Sequence, residues 1–483
     1  MTLKPAAAYP HRTPLDHHVP LISVLCALLG GAWSALPHPF LIVIVCALPL
    51  ALMVCLSATF LMVLGFVIFS FFRIHEAIPA LFPLKIPLLL SLASLFALGW
   101  HVAISRKLHM YWRPELTAAS LFFGLVTFGV VAASNFGVAL AYFKGVYWKI
   151  MLMTFAITFL TRRHTDFARC SMLAVLAGCV VGVVALLNKA NGIGLVEETR
   201  VTIGRELGSV LGDPNDLALV LMFPIAFAVG MATNRGLKTY QKIIGLAGII
   251  ILFMAVIATQ SRGGLLGILT VFGIFGYRKI KSKILLGSIG TVFAIFLFVF
   301  AGISDRQSGG AAEEGIDASA QGRLYAWEAA YKMALHNPLS GVGIDNFYSN
   351  YYFYSSHWDG LNHAVHSTWF GVLAETGFLG LGVFVSMIIT LLRSAYRSLI
   401  TIERHANLSP ESHSVMRATA ESLVAGMLGT IVSGTFLTQG FTWPIYILAA
   451  LIAALAHWVE THCAADGHGT LGWPPQLAAT KTR

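Results

Sequence analysis

The sequence predicts an all-α polytopic membrane protein with about 12–14 transmembrane helices and one large extracytoplasmic loop containing short helices. Its 483 residues are 57% hydrophobic and 11% charged, whereas soluble domains average about 25% charged residues. Apolar runs of about 20 residues, long enough to cross a bilayer as helices, recur along the whole chain. This composition excludes a soluble fold. The net charge of +10 therefore indicates Lys and Arg held on the cytoplasmic side of a membrane rather than nucleic-acid binding.

Apolar stretches long enough to be spans lie at 19–37, 39–56, 58–73, 80–101, 116–142, 147–161, 170–188, 213–233, 241–259, 263–278, 284–303, 367–392, 418–437 and 442–459. Stretch 39–73 forms either two short helices or one long tilted helix, so the total is 14, 13 or 12. None of the six cysteines lies in the long polar loop. We therefore expect neither a disulfide nor a cysteine-based metal site.

The links between spans predict which side of the membrane each end faces. Short basic links occur at 162–169, 235–242, 278–283 and 393–417, and the positive-inside rule places them in the cytoplasm. They are separated by even numbers of crossings, so the assignments agree. The opposite links, 189–212, 260–262 and 304–366, are then extracytoplasmic. The chain divides into N-terminal transmembrane helices with a cytoplasmic N-terminus (1–303), the loop 304–366, C-terminal transmembrane helices (367–460) and a cytoplasmic tail (461–483).

The outer links carry arginines that the positive-inside rule would make scarce there, namely Arg200, Arg205, Arg262, Arg306 and Arg323. The planar donor fork of arginine suits bidentate binding of phosphate, so several converging arginines would bind a phosphorylated, membrane-embedded ligand. The alternative is that each one snorkels to lipid phosphates or pairs with a nearby glutamate. We favour that alternative for Arg200 and Arg306.

A ligand-binding role is favoured for Arg262. It lies in the tight turn Ser261-Arg262-Gly263-Gly264, where the glycines permit close backbone approach. An ionisable group at such a depth is a functional hypothesis by default. Nearby, Asp213-Pro214-Asn215-Asp216 predicts a helix start with Asp213 as its N-cap, and Asn215 is left as a candidate ligand-facing residue.

The long loop holds a predicted short helix from Gly322 to Asn337, ended by Pro338. Trp327 lies on its apolar face, and Arg323 lies at its start, where the helix dipole disfavours a cation. An anionic partner for Arg323 would explain that position, and Glu313-Glu314 is one candidate. The aromatic residues that follow, from 347 to 358, indicate either an interfacial belt or a surface on which sugars stack.

His363 and His366 stand three residues apart at the mouth of the span that begins near Ser367. No supporting metal motif accompanies them. One histidine acting as a general base is the better interpretation, because its pKa lies near neutrality. Glu375, nine residues further on, falls on the opposite helical face and is expected to pair with another helix.

These residues resemble a known family. His366-Ser367, nine residues, then Gly377-Phe378-Leu379-Gly380 resembles the signature of O-antigen ligases: His, then Asn, Ser or Gln, nine residues, Gly, two residues, then Gly, Thr or Tyr. The stretches Ser261-Arg262-Gly263, Arg323 with Trp327, and Asn337-Pro338-Leu339-Ser340-Gly341-Val342-Gly343 resemble the wider O-antigen ligase and polymerase superfamily in order and spacing. The resemblance covers residues 200–395, while the first 160 residues match only as apolar spans.

The resemblance implies an inner-membrane glycosyltransferase that takes a glycan from undecaprenyl diphosphate on the periplasmic face, without a cofactor. Arg262 and Arg323 would hold the diphosphate and His366 would deprotonate the acceptor hydroxyl. Arg205, Asn215, Trp327 and His363 would line the substrate site, and loop 304–366 would be the periplasmic catalytic loop. A ligase would use the lipid A core as acceptor, whereas a polymerase would use a second lipid-linked glycan.

A transporter of lipid-linked glycans is the alternative from another class. Transporters place ionisable residues at the bilayer midplane within broken helices and often carry inverted repeats. Here the polar groups gather at one face and no repeat is evident. The pattern therefore favours a transferase.

Overall fold

The computed structural model describes residues 19–35, 39–300, 318–358, 360–405 and 407–463, and within these ranges the protein is all-α. The first helices are α1 (Val19–Ala35), α2 (Pro39–Ser57), α3 (Thr59–Phe71), α4 (Ile74–Ala77), α5 (Ile86–Gly99), α6 (Pro114–Val131), α7 (Phe136–Tyr142), α8 (Trp148–Leu160) and α9 (His164–Asn191). They are followed by α10 (Pro214–Thr233), α11 (Thr239–Thr259), α12 (Arg262–Lys279), α13 (Lys283–Phe300), α14 (Ala318–His336), α15 (Phe347–Tyr354), α16 (Thr368–Arg404), α17 (Pro410–Gly434) and α18 (Trp443–Cys463). The predicted fold class is confirmed.

Every predicted span overlaps at least one of these helices. In the described part of the chain, nine helices are long and apolar enough to cross a membrane, or ten if a bent pair counts as one span. That pair is α2 with α3, bent by 93°, so the two-helix alternative for 39–73 holds. Helices α1, α12 and α13 coincide with three further predicted spans.

The predicted span 116–142 is wrong in its boundary. Helix α6 ends at Val131, and a helical run with one π-turn then extends from Phe136 to Leu160. The break falls at Asn135, whose side chain accepts a hydrogen bond from the Val138 backbone N–H (3.2 Å) and so caps the new helix. From Phe128 to Ala141 the chain is apolar apart from Ser134 and Asn135. Hydropathy alone therefore did not locate the break.

Helix α10 lies at the centre of the bundle, against α9, α11, α12 and α17. It is apolar on all sides and buried along nearly its whole length, as expected of a helix surrounded by other helices. Small residues bring the neighbours close. A Cβ at Gly245 of α11 would lie 2.7 Å from the Ala228 carbonyl oxygen, and a Cβ at Gly230 would lie 3.0 Å from that of Ala418.

The basic links meet at one end of the bundle. Lys238 pairs with Glu411 (3.0 Å), which joins link 235–242 to the start of α17. Arg278, in the last turn of α12, bonds to Glu403 (2.6 Å) and Glu421 (3.1 Å). Arg262 begins the same helix at its other end, so the basic links and the residues around Arg262 lie at opposite ends of the protein.

Candidate active site

His366 is held in a conformation that is unfavourable for histidine. Its φ is 44°, in the left-handed region that non-glycine residues rarely occupy and that clusters at functional sites. The next residue, Ser367, is buried and caps α16. Val365, on the other side, is buried as well. Rigid neighbours on both sides therefore fix His366, partly exposed, at the mouth of α16.

The surroundings of His366 keep its imidazole neutral. Burial lowers its pKa first, and the positive charge of Arg323 lowers it further. His363 and Arg200 act in the same direction, while the carboxylate of Asp213 opposes them. These groups come from the long loop, link 189–212 and the cap of α10. The structure thus brings together residues distant in the chain around a histidine suited to accept a proton.

Arg323 lies in α14, and here the predicted helix boundary needs correction. The helix begins at Ala318 rather than at Gly322, so Arg323 occupies its second turn. The dipole effect fades beyond the first turn, and the argument for an anionic partner from an unfavourable helix start no longer applies. The positive charge of Arg323 lowers the pKa of His366, and this effect keeps Arg323 among the candidate site residues.

Trp327 joins α14 to α16. Its ring stacks on Phe370 with centroids 5.0 Å apart, and its Nε1–H donates to the Val365 carbonyl (3.0 Å). The partly buried indole therefore fixes Arg323, one turn earlier, relative to His366. His363 contacts the ring of Tyr351 edge-on at 5.4 Å. Among the described residues, no group of three or more potential metal ligands forms around these histidines.

Arg262 is presented by a turn whose backbone is tightly packed. Gln260 ends α11 with a φ of 51°, and buried Ser261 caps α12 by accepting a hydrogen bond from the Gly264 N–H (3.3 Å). A Cβ at Gly264 would lie 2.6 Å from the Cβ of Ala218. The close backbone approach expected at these glycines is therefore confirmed for Gly264. Arg262 itself is partly exposed.

The cap of α10 has the predicted form. The Asp213 carboxylate accepts from the backbone N–H groups of Asn215 (2.7 Å) and Asp216 (3.3 Å). Asn215 is buried, and its Oδ1 accepts hydrogen bonds from Arg200 (2.9 Å) and Ser261 (2.9 Å). The Asn215 side chain therefore connects the two helix starts that flank the site.

Arg200 and Arg205 occupy different environments. Arg200 is 3% exposed and its Nη1 lies 3.7 Å from Glu197, so the predicted pairing with a nearby glutamate is confirmed. Arg205 lies in the short 3₁₀ turn Arg205–Leu207 and is exposed. Of these two arginines, it is Arg200 whose positive charge lowers the pKa of His366. Arg306 lies outside the described residues, as do Glu313 and Glu314.

The long loop is anchored in a break in α16. Gly377 leaves helical geometry with φ 70° and ψ −172°, and the Phe378 N–H donates to the Pro338 carbonyl (2.8 Å). One turn earlier in α16, the Ala374 carbonyl accepts from the Val342 N–H (2.8 Å). A Cβ at Gly377 would come within 2.7 Å of the Pro338 carbonyl carbon, so glycine is required there.

The same loop segment also meets the break between α6 and α7. The Ser134 N–H donates to the Val342 carbonyl (2.9 Å), and the Asn135 N–H donates to Oδ1 of buried Asn346 (3.1 Å). Glu375, buried in α16, accepts from the Phe347 N–H at the start of α15 (3.3 Å). The expected pairing of Glu375 with another helix is confirmed. These contacts hold residues 338–347 at the end of the bundle opposite the basic links.

The aromatic segment after this anchor has an exposed side, formed by Tyr348 (57%), Tyr352 (53%), Phe353 (74%) and Trp358 (49%). Tyr352 and Trp358 contact each other edge-on at 4.7 Å. Their exposure is compatible with an interfacial belt and with a surface for sugars, and both interpretations stand.

Sequence reasoning missed the contribution of Arg200, Asp213 and the helix break at Ser134-Asn135 to the site. For Asp213 the sequence carried only the signal of a helix cap, and for Arg200 only that of a surface cation. For the break there was a signal, because two consecutive polar residues interrupt an otherwise apolar run. Such a pair in a span is a reason to expect a capped helix start.

Residues 247–385 match the family model described as O-antigen ligase. The match runs from α11 into α16 and includes Arg262, Arg323 and His366. It supports assignment of this chain to the O-antigen ligase and polymerase family, and with it a glycosyl-transferring enzyme of that general type. No curated protein matches the chain.

Proposed function

We propose that this multi-pass membrane protein, with its O-antigen ligase domain, transfers a glycan from undecaprenyl diphosphate to an acceptor hydroxyl on the periplasmic face of the bacterial inner membrane. The observation that carries the proposal is the set of charges around His366. Burial, Arg323 and Arg200 lower its pKa, and Asp213 raises it. A neutral, partly buried histidine beside arginines is suited to deprotonate a hydroxyl next to a bound diphosphate.

In the proposed reaction, Arg262 and Arg323 bind the diphosphate of the donor. His366 takes the proton of the acceptor hydroxyl as that oxygen attacks the anomeric carbon. The bond between the anomeric carbon and the diphosphate oxygen breaks, and the electron pair leaves with undecaprenyl diphosphate. The arginines stabilise the charge that develops on the leaving group. The displacement inverts the anomeric configuration, and His366 then releases its proton to water.

The location of the site agrees with this chemistry. The site lies at the end of the bundle opposite the basic links, which the positive-inside rule assigns to the cytoplasm. Arg262 and Arg323 are both partly exposed, as a headgroup-binding role requires. A donor activated in the cytoplasm and flipped across the membrane would reach them without any nucleotide-binding site.

We propose the lipid A core as acceptor, because the segment around His366 resembles the signature of O-antigen ligases. A polymerase would perform the same displacement with a lipid-linked glycan as acceptor. The two differ only in which hydroxyl reaches His366. The exposed aromatic side near α15 is a candidate surface for the sugars of either acceptor.

The test is transfer by the purified protein in proteoliposomes. Undecaprenyl-diphosphate glycan is supplied with either lipid A core or a second lipid-linked glycan, and the anomeric configuration of the product is read by NMR. The expected result is an inverted linkage to the lipid A core, with loss of donor binding in Arg262→Ala and Arg323→Ala. A retained configuration would contradict direct displacement. Undiminished donor binding by both variants would contradict the diphosphate clamp.

A further inference from the structure

Arg200 is buried at the point where four segments of the chain meet. Its Nη2 donates to Asn215 Oδ1 (2.9 Å) at the start of α10, and its Nε donates to the Thr259 carbonyl (3.2 Å) at the end of α11. Glu197, in the arginine's own link, lies 3.7 Å from its Nη1. The fourth segment is α12, whose capping residue Ser261 donates to the same Asn215 oxygen.

The burial of this arginine is informative about its role. Removing a guanidinium from water is costly, and well-packed apolar residues often stabilise a protein as well as a buried ion pair does. The hydrogen bonds of Arg200 fix the positions of their partners more specifically than apolar packing would. A planar fork can reach a carbonyl and an amide oxygen at once, which a lysine ammonium or an apolar chain does not reproduce.

Arg200 is connected to Arg262 by a short path. The Asn215 oxygen is fixed by Arg200 and in turn receives the Ser261 hydroxyl (2.9 Å). That hydroxyl accepts from the Gly264 N–H in the first turn of α12 (3.3 Å). Arg262 is the first residue of this helix. A shift of Asn215 would therefore alter the cap from which Arg262 extends.

We propose that Arg200 is a positioning residue, which fixes the start of α12 through Asn215 and Ser261 so that Arg262 meets the donor diphosphate. This inference rests on the proposed function. It also changes the interpretation of link 189–212. The residue of that link expected to line the substrate site was Arg205, whereas the residue connected to the start of α12 by hydrogen bonds is Arg200.

The test is a double-substitution cycle with undecaprenyl diphosphate as the binding probe, measured on the full-length protein in detergent. Arg200→Lys keeps the charge but loses the planar donor fork that reaches Thr259 and Asn215. We expect it to raise the Kd by about ten-fold, the effect of losing one or two hydrogen bonds. In the Arg262→Ala background the same substitution is expected to change the Kd by less than about two-fold, because its effect acts through Arg262.

The matched control is Lys189→Gln, which removes a cation from the end of α9 next to the same link. Lys189 bonds to the Thr199 carbonyl and is outside the hydrogen-bonded path to Ser261. We expect its Kd to stay within about two-fold of the unmodified protein. If Arg200→Lys is not recovered folded, Ser261→Ala cuts the same path at a smaller side chain and has the same expected outcome.

Two results would overturn the positioning role. One is a Kd for Arg200→Lys equal to that of the unmodified protein. That result would mean that binding depends only on the charge of Arg200 and not on its hydrogen bonds. The other is an equal loss in the presence and absence of Arg262, which would indicate a general structural effect. In both cases weaker binding by Arg262→Ala alone would leave the proposed function intact. Failure of the unmodified protein to bind the probe would count against the proposed function itself.

Discussion

Replacing Gly377 by alanine is expected to release the long loop from the break in α16. At φ 70° and ψ −172° the backbone lies in a region that is essentially restricted to glycine, at a cost of about 1–3 kcal/mol for other residues. The new Cβ would lie 2.7 Å from the Pro338 carbonyl carbon and 2.9 Å from the Asn337 carbonyl oxygen. Overpacking of this kind adds about 1–3 kcal/mol.

The reduced backbone freedom of the unfolded chain returns up to about 1 kcal/mol when glycine becomes alanine. The net destabilisation of the docked loop is therefore roughly 1–6 kcal/mol. Hydrogen exchange follows local opening, so the loop amides should exchange at least about five-fold faster. The amides to follow are those of Val342 and Gly343, which donate to the Ala374 and Glu375 carbonyls (2.8 and 3.2 Å).

Gly382→Ala is the matched control, because Gly382 lies in the helical part of the same α16 and a Cβ added there would meet no neighbouring atom within 4 Å. This substitution should leave exchange in the loop unchanged and should favour the helix by about 1 kcal/mol. Glycan transfer is measured on the same samples. Unchanged loop exchange and full transfer by Gly377→Ala would refute the reasoning, since the loop would then not depend on the break.

Three further outcomes are expected. Asp213→Asn keeps the helix cap but removes a charge that raises the pKa of His366. The pKa of His366 should therefore fall further. In a pH–rate profile, the loss of transfer on acidification should move to lower pH. Trp327→Phe keeps the stack on Phe370 but loses the hydrogen bond to Val365 (3.0 Å), so the melting temperature should fall by an amount equivalent to about 1 kcal/mol; an unchanged value would contradict the joining role. A topology reporter fused after position 315 should be active outside the cytoplasm and one after Ser282 inside, and the reverse pattern would contradict the sidedness of the site.

The fold class followed from the sequence because hydropathy is a property of long segments. Runs of about 20 apolar residues have one stable solution in a bilayer, the helix. The residues at which helices begin and end within such runs could not be predicted from hydropathy. The helix start at Asn135 depends on a side-chain cap and on contacts with Asn346, which is 211 residues away.

The candidate site residues stood out in the sequence for a related reason. His366, Arg262 and Arg323 are ionisable groups beside apolar spans, where such groups are costly and stand out. The proximity of Arg323 to His366 depends on tertiary contacts, such as the Trp327 bond to Val365. Arg200 looked like a surface cation because nothing in its neighbours along the chain indicates that Asn215 and Thr259 surround it.

We propose that His366 is the general base of an arginine-lined site for a diphosphate-linked donor. The most direct test is single-turnover glycan transfer by His366→Ala at saturating donor, with donor affinity measured in parallel. Removing a general base should slow transfer by about 10²- to 10⁴-fold while leaving donor affinity near that of the unmodified protein. Transfer at the unmodified rate by His366→Ala would contradict the claim.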